Sequence, residues 1–248
     1  MSKLTNIFGK SQYVEGIGEI HPIKVSEWEE FSEYCTILQL KKEHFTKGKP
    51  TEMKHLEILF TQNEIMIIHA LKQTLKMALH IEHDMFDIFV NEETGRLGFA
   101  ITDGEEFKII DQENFDEIRR IILNQNLLIE PRVFKNKYIE ESYEAWLKTQ
   151  SGKGVEITFE AKLTTVAAWE GKRPKDYLDY TYYELEAIFQ RINKFFEFTS
   201  QSMMLANPYA DPSSMKMIHF AESINLYRDP SEEFDKGIDL KTLKESVN

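Results

Sequence analysis

Two histidines three residues apart, in His80-Ile-Glu-His83-Asp84, are the residues of this chain that most resemble metal ligands. On a continuing helix they share one face, with Asp84 and Asp87 near and Glu82 pointing elsewhere. A zinc site needs three or four convergent ligands with a supporting outer shell. The pair is neither HExxH nor a cysteine–histidine array, so it reads as helix-end histidines. His69, beside Ile68 and Ala70, reads as a partly buried structural residue. Gly16-Ile-Gly18 has no third glycine at the dinucleotide spacing and no helix opening after it. Ser151-Gly-Lys-Gly154 lacks the upstream glycine and the following Ser or Thr of a phosphate loop. Both read as turn glycines. There is no GxSxG elbow. Paired carboxylates need only spatial proximity, so 42 acidic residues leave a carboxylate pair open without pointing to one. The expectation is no catalytic residue, no metal and no cofactor.

Composition narrows the class. The formal net charge of −12 disfavours a phosphate-backbone binder, which needs clustered Lys and Arg. The one mildly basic run, Lys41 to Lys49, reads as a solvated loop. No apolar run reaches the roughly 18 residues of a membrane span, and the start MSKLTNIFGK shows no apolar signal region. The single cysteine, Cys35, permits no intrachain disulfide and indicates a reducing compartment. It lies on an apolar helical stripe, as a buried core thiol does. A binder of neither nucleic acid nor membrane is expected.

The elements that would position any site are written in caps and periods. Residues 13–25 look extended, as one or two short strands. Four capping boxes pair a short polar acceptor with a Glu three residues on. They are Ser26 with Glu29, Thr61 with Glu64, Asn114 with Glu117 and Thr181 with Glu184. Apolar stripes follow each: Phe31, Tyr34, Cys35 and Leu38; Ile65, Ile68, Leu71, Leu75 and Leu79; Phe115, Ile118, Ile121 and Ile122. The last is Leu185, Ile188, Phe189, Ile192, Phe195 and Phe196, with Tyr180 and Leu185 placed as a hydrophobic staple. Between the second and third helices the period drops to two. Residues 86–90, then Leu97, Phe99 and Ile101, then Phe107 and Ile109 predict a three-stranded meander with a turn at Asp103-Gly104, open to joining the N-terminal strand. Residues 137–148 and 157–169 read as helices, the second stopped by Gly171.

The fold class predicted is α+β: mostly helical, with a small antiparallel β-meander, a helical C-terminal unit and an irregular tail. The divisions expected are an α+β domain over 1–150 (N-terminal strands, helices and the meander at about 86–110), a helical unit over 151–205, and an extended tail over 206–248 with a short amphipathic segment. The tail carries Pro208, Pro212 and Pro230, Met215 and Met217 (with Met203 and Met204 just before it), and the acidic run DPSEEFDKG. It reads either as a mobile, Met-bearing arm gripping a partner or as a tail folded onto its own core.

Three stretches carry a family resemblance: "YVEGIGEIHPIKVSEWEEFSEY", "NFDEIRRIILNQNLL" and "LTTVAAWEGKRPKDYLDYTYYELEAIFQRI". The last resembles the two-helix unit of tail assembly chaperones of phages infecting Gram-positive bacteria. The resemblance implies a non-enzymatic tail morphogenesis protein that covers apolar helical surfaces of the tape measure or a baseplate hub protein, self-associates, and acts in the bacterial host cytoplasm. Alternatives are a structural component of the tail or baseplate, retained in the virion, and a regulatory or counter-defence protein that binds a host factor. The partner-facing candidates are Leu185, Ile188, Phe189, Ile192 and Phe196 on the capped helix, and Met203, Met204, Met215, Met217 and Phe220 beyond it. Core packing is the competing reading for the first five.

Overall fold

The computed structural model describes residues 3–46, 51–62, 64–81, 85–92, 94–103, 106–134, 136–151, 157–207, 209, 218–227 and 229–237. The fold is α+β, mostly helical, with a three-stranded antiparallel sheet and a separate two-stranded hairpin.

After helix α1 (Lys3–Ile7), strands β1 (Gln12–Val14) and β2 (Gly18–Ile20) pair antiparallel, Val14 opposite Gly18. They form their own hairpin and do not join the meander. Val14, Ile17 and Ile20 turn inward and are buried. The first long helical stretch is broken into α2 (Trp28–Tyr34) and α3 (Thr36–Gln39), followed by the short α4 (Lys42–Phe45). The start at Ser26 differs from expectation. A 3-10 turn over Val25–Glu27 precedes α2, and Lys24 N–H donates to the Glu27 carboxylate at 3.1 Å. Ser26 N–H instead donates to Leu178 O at 3.2 Å. Tertiary pairing has taken the group the box would have capped.

The Thr61 box is also absent. Thr61 closes helix α5 (His55–Thr61), a helix the apolar pattern did not announce, and its hydroxyl donates back to Ile58 O at 2.7 Å. Helix α6 (Ile65–Leu79) starts after Glu64 with no side-chain cap. Its stripe is buried at Leu71 and Leu75, whereas Ile65 is 84% exposed. α6 ends at His80, whose left-handed φ of 52° closes the helix by donating its N–H to Lys76 O and Met77 O.

The meander runs β3 (Phe86–Val90), β4 (Leu97–Asp103), β5 (Glu106–Ile110). Asp103 pairs with Glu106, which closes the hairpin one residue later than the turn read at Asp103-Gly104. Gly104 lies outside the described residues. Directly opposed residues share a face. Phe86, Ile101 and Lys108 therefore form one inward row, and Ile88, Phe99 and Ile110 the next. Phe107 lies on the other face of β5 and is exposed. Phe86, Phe99, Ile101 and Ile110 pack with Phe31, Leu38, Leu71, Leu75 and the inner face of α7 (Phe115–Gln125) into the larger core. α7 starts where expected, but the Asn114 amide accepts from Asp111 N–H at 3.0 Å and donates to Ile109 O at 2.8 Å, with no bond to Glu117 N–H. Cys35 is buried in this core, and burial pushes its thiol up to about 11.

Three consecutive amides at the end of α7 tie the N-terminal segments to it. Asn126 Oδ1 accepts from Ile23 N–H at 2.9 Å, and Gln125 Nε2 donates to Ile20 O at 3.0 Å. The Asn124 carbonyl accepts from Asn6 Nδ2 at 3.1 Å and from the Tyr227 hydroxyl at 2.7 Å.

Beyond α8 (Lys137–Ser151), helices α9 (Phe159–Glu170) and α10 (Tyr182–Leu205) build a second, smaller core. It holds Val25, Val166, Ala167, Tyr177, Leu185, Phe189 and Ile192. α9 stops as predicted at Gly171, whose φ of 67° supplies the left-handed cap. Phe159 lies by Tyr182, Lys162 bonds Glu186, and Trp169 meets Phe195 and Phe196. The contacts climb both helices together, so α9 and α10 run in the same direction. The segment 171–181 returns alongside them, with Tyr177 fully buried and its hydroxyl donating to Glu170 at 2.8 Å. No described helix is long and apolar enough to cross a membrane.

Candidate partner-binding surface

α10 is the helix on which the partner-facing candidates sit, and its start is fully capped. Thr181 Oγ1 accepts from Glu184 N–H at 3.1 Å, and the Glu184 carboxylate accepts from Thr181 N–H at 2.7 Å. Tyr180 and Leu185 join the same apolar cluster, as a staple places them. Lys24 and Thr181 also form a β-bridge that fixes this helix start to the first core.

The first turns of α10 are turned inward. Leu185 is 0%, Phe189 5% and Ile192 4% exposed, and Ile188 packs against the same cluster. Those four are core residues of the chain itself, which corrects their partner-facing assignment: the space beside them is filled by Val166, Ala167 and Tyr177. An ion pair closes the flank. Lys162 Nζ donates to Glu186 at 2.8 Å with both side chains mostly covered. Burial works against the lysine's charge, but its bond to Glu186 and the neighbouring Tyr182 outweigh it and raise the Lys162 pKa.

The distal turns face solvent. Phe196 is 52%, Met203 70%, Met204 53% and Phe220 39% exposed. Trp169 and Phe195, absent from the sequence-based set, join them and are also exposed. Trp169 sits 5.5 Å from Phe195 and 5.1 Å from Phe196, ring centre to ring centre. Phe220 reaches the same place from the tail, 6.2 Å from Phe195 and 5.5 Å from Phe198. Met203 lies two turns beyond Phe196 on the same side of the helix. Trp169 could have been found in the sequence by extending the α9 apolar pattern to its last turn. Its meeting with Phe196 needed the parallel packing. Met215 and Met217 lie outside the described residues.

The described tail folds back along α10. Ile218 N–H donates to Gln201 Oε1 at 2.9 Å, and Arg191 donates to Phe220 O and Glu222 O at 2.5 and 2.9 Å. Residues 218–227, where the amphipathic segment was read, are turns, bends and irregular backbone. A second uncovered apolar area lies between α6 and the meander, where exposed Ile65 and Ile88 line an open groove with Phe60, Ile68 and Leu97.

Chemistry-bearing residues line a cleft of about 280 Å³ formed by Glu19, His21, His80, Lys108 and apolar neighbours, and a second of about 420 Å³ that includes Thr51, His55, Asp116, Arg119 and Glu130. The His21 and His80 rings stack 4.0 Å apart and 2° from parallel. Rings stacked in this way carry their nitrogen lone pairs side by side, so the pair does not converge on one ion. Burial and the adjacent His80 lower the His21 pKa. Among the described residues, the lining of the first cleft holds no Ser, Thr, Cys or Tyr. His83, Glu82 and Asp84 lie outside the described residues. Among those described, no three His, Cys, Asp or Glu side chains are grouped to hold a metal. No protein-family model, no curated protein and no solved structure matches the chain.

Proposed function

We propose that this chain is a non-enzymatic assembly factor of a tailed phage. In this reading it lays the distal surface of α10 on an apolar helical stretch of another tail protein, the tape measure or a baseplate hub protein. The observation that carries it is the exposed ring cluster of Trp169, Phe195, Phe196 and Phe220, prolonged by Met203 and Met204. A contiguous apolar patch on an otherwise acidic surface is where a soluble protein meets another chain. Rings and methionines adapt to a varied helical stripe docked along a groove. The net charge of −12 keeps the complex dispersed. Copies of the chain associate through the same surface when the client is absent, and the work takes place in the host cytoplasm.

Co-expression with the tape measure protein of the same phage tests this reading. The tape measure stays soluble and co-purifies with the wild-type chain, and the Phe196→Ser/Met203→Ser variant loses it. A tape measure that stays insoluble, with nothing co-purifying, ends the chaperone assignment. Mass spectrometry of purified particles separates a factor that leaves from a structural component that stays.

A further inference from the structure

Helix α8 carries an occupied binding cleft that does not involve the α10 surface. None of its described side chains is fully buried; Ile139, Tyr143 and Trp146 are half-buried and mark its inward stripe. What covers that stripe is the tail. Helix α11 (Pro230–Gly237) lies against it and inserts Phe234, which is only 4% exposed. The ring of Phe234 sits 5.1 Å from Tyr143, 5.7 Å from Trp146 and 6.5 Å from Phe134. The next residue, Asp235, takes both its carboxylate oxygens to Arg132 Nη1 at 2.7 and 2.6 Å. The Arg132 guanidinium lies over the Phe134 ring at 5.1 Å, so one cation serves the ring wall and the anion together.

α11 is built as a ligand. Asp229 caps it by accepting from Ser231 N–H at 2.8 Å, Pro230 occupies the first helical position, and Glu232 and Glu233 fill the first turn. Eight residues do not hold a helix in water unaided. This one is ordered by its dock, through one buried ring and one partly exposed ion pair. Such a grip is strong enough to be resident and weak enough to be exchanged.

We infer that the α8 cleft, formed by Arg132, Phe134, Tyr143 and Trp146, is a recognition site for a short acidic helix of a partner protein presenting Phe followed by Asp. α11 is the copy of that ligand carried in cis, and it keeps the cleft masked until the partner displaces it. The charge sign argues for an acidic ligand: Arg132 is the cation bonded in the cleft, and α11 answers it with Asp235, while Glu232 and Glu233 add negative charge to its first turn.

The probe is a labelled synthetic peptide of residues 229–237, Asp-Pro-Ser-Glu-Glu-Phe-Asp-Lys-Gly, titrated against full-length protein by fluorescence anisotropy. The tethered α11 competes at high effective concentration, so wild type binds the peptide about tenfold or more weakly than Phe234→Ala does. Asp235→Lys, a surface change that leaves folding intact, opens the cleft in the same way. Adding Arg132→Asp to Phe234→Ala abolishes the binding. Hydrogen exchange of the α11 amides accelerates in both single variants. Equal peptide affinity for wild type and Phe234→Ala, or no binding to either opened variant, overturns the proposal. A concentration-dependent wild-type dimer that Phe234→Ala abolishes overturns the partner assignment and gives the cleft to α11 of a second copy. Loss of the α10-dependent client would leave all these outcomes unchanged, so the two readings fail separately.

Discussion

The two halves of α10 share one backbone and one hydrogen-bond ladder, yet they do opposite jobs. From Leu185 to Ile192 the apolar positions are closed against α9 and the returning segment. From Phe195 onward, apolar residues of the same kind meet water. Both halves carry an apolar stripe; what differs is the neighbour. α9 ends at Glu170, so among the described residues the distal turns meet Trp169 at the end of α9 and the tail at Ile218, His219 and Phe220. An apolar stripe longer than its intramolecular partner leaves a single helix core at its start and exposed at its end.

Substitutions should separate the halves sharply. The largest effect falls on the inner half. Phe189→Ala leaves a cavity in the smaller core and lowers unfolding free energy by about 3–5 kcal/mol in a denaturant titration. Glu186→Gln comes next, at about 2 kcal/mol, because it unpairs the mostly covered Lys162. That pair also sets a pH signature. The folded-state pKa of Lys162 is raised, so its stabilisation is complete below the unfolded value of about 10.4 and fades as pH climbs through the higher folded value. Stability measured from pH 9 to 12 should fall more in wild type than in Glu186→Gln. Thr181→Ala removes the cap acceptor and costs about 1 kcal/mol, read as a lowered melting temperature. The smallest effect belongs to the outer half. Phe196→Ser and Met203→Ser stay within about 0.5 kcal/mol of wild type in stability, while self-association in light scattering drops. An outer variant as destabilised as Phe189→Ala would show that the distal turns are core after all.

Thr181 and Thr61 show what was legible in the sequence and what was not. Both precede a Glu at the right spacing, and only Thr181 caps. Its box stands beyond a returning segment and is reinforced by Tyr180 and Leu185. Thr61 was already committed to the last turn of α5, a neighbour the pattern could not reveal. The meander was readable because period-two alternation and turn residues agree, but the alternation of Phe107 and Ile109 did not reveal that Lys108 and Ile110 share the face of Ile101 and Phe99. The tail held a signal that went unread. Asp229-Pro230-Ser231-Glu232 has the same polar-cap and acidic spacing as the other helix starts, and it opens α11. The exposed aromatic surface was half visible, since Phe196 and Met203 lie on the stripe, whereas Trp169 joins them only through the parallel run of α9 and α10.

The Asn124 carbonyl receives both Asn6 and Tyr227, and those two side chains also touch each other at 3.0 Å across 221 positions. A knot of that span cannot tighten while the polypeptide is still being made. Synthesis delivers residue 6 first and must extend through all of α10 before Tyr227, its second partner, exists. The first core can gather around β4 and α7 during translation and Asn6 can reach Asn124, but the bond across 221 positions closes last. Premature termination anywhere before Tyr227 would therefore release a species whose opposite end is held by one side-chain contact fewer, far from the missing residues.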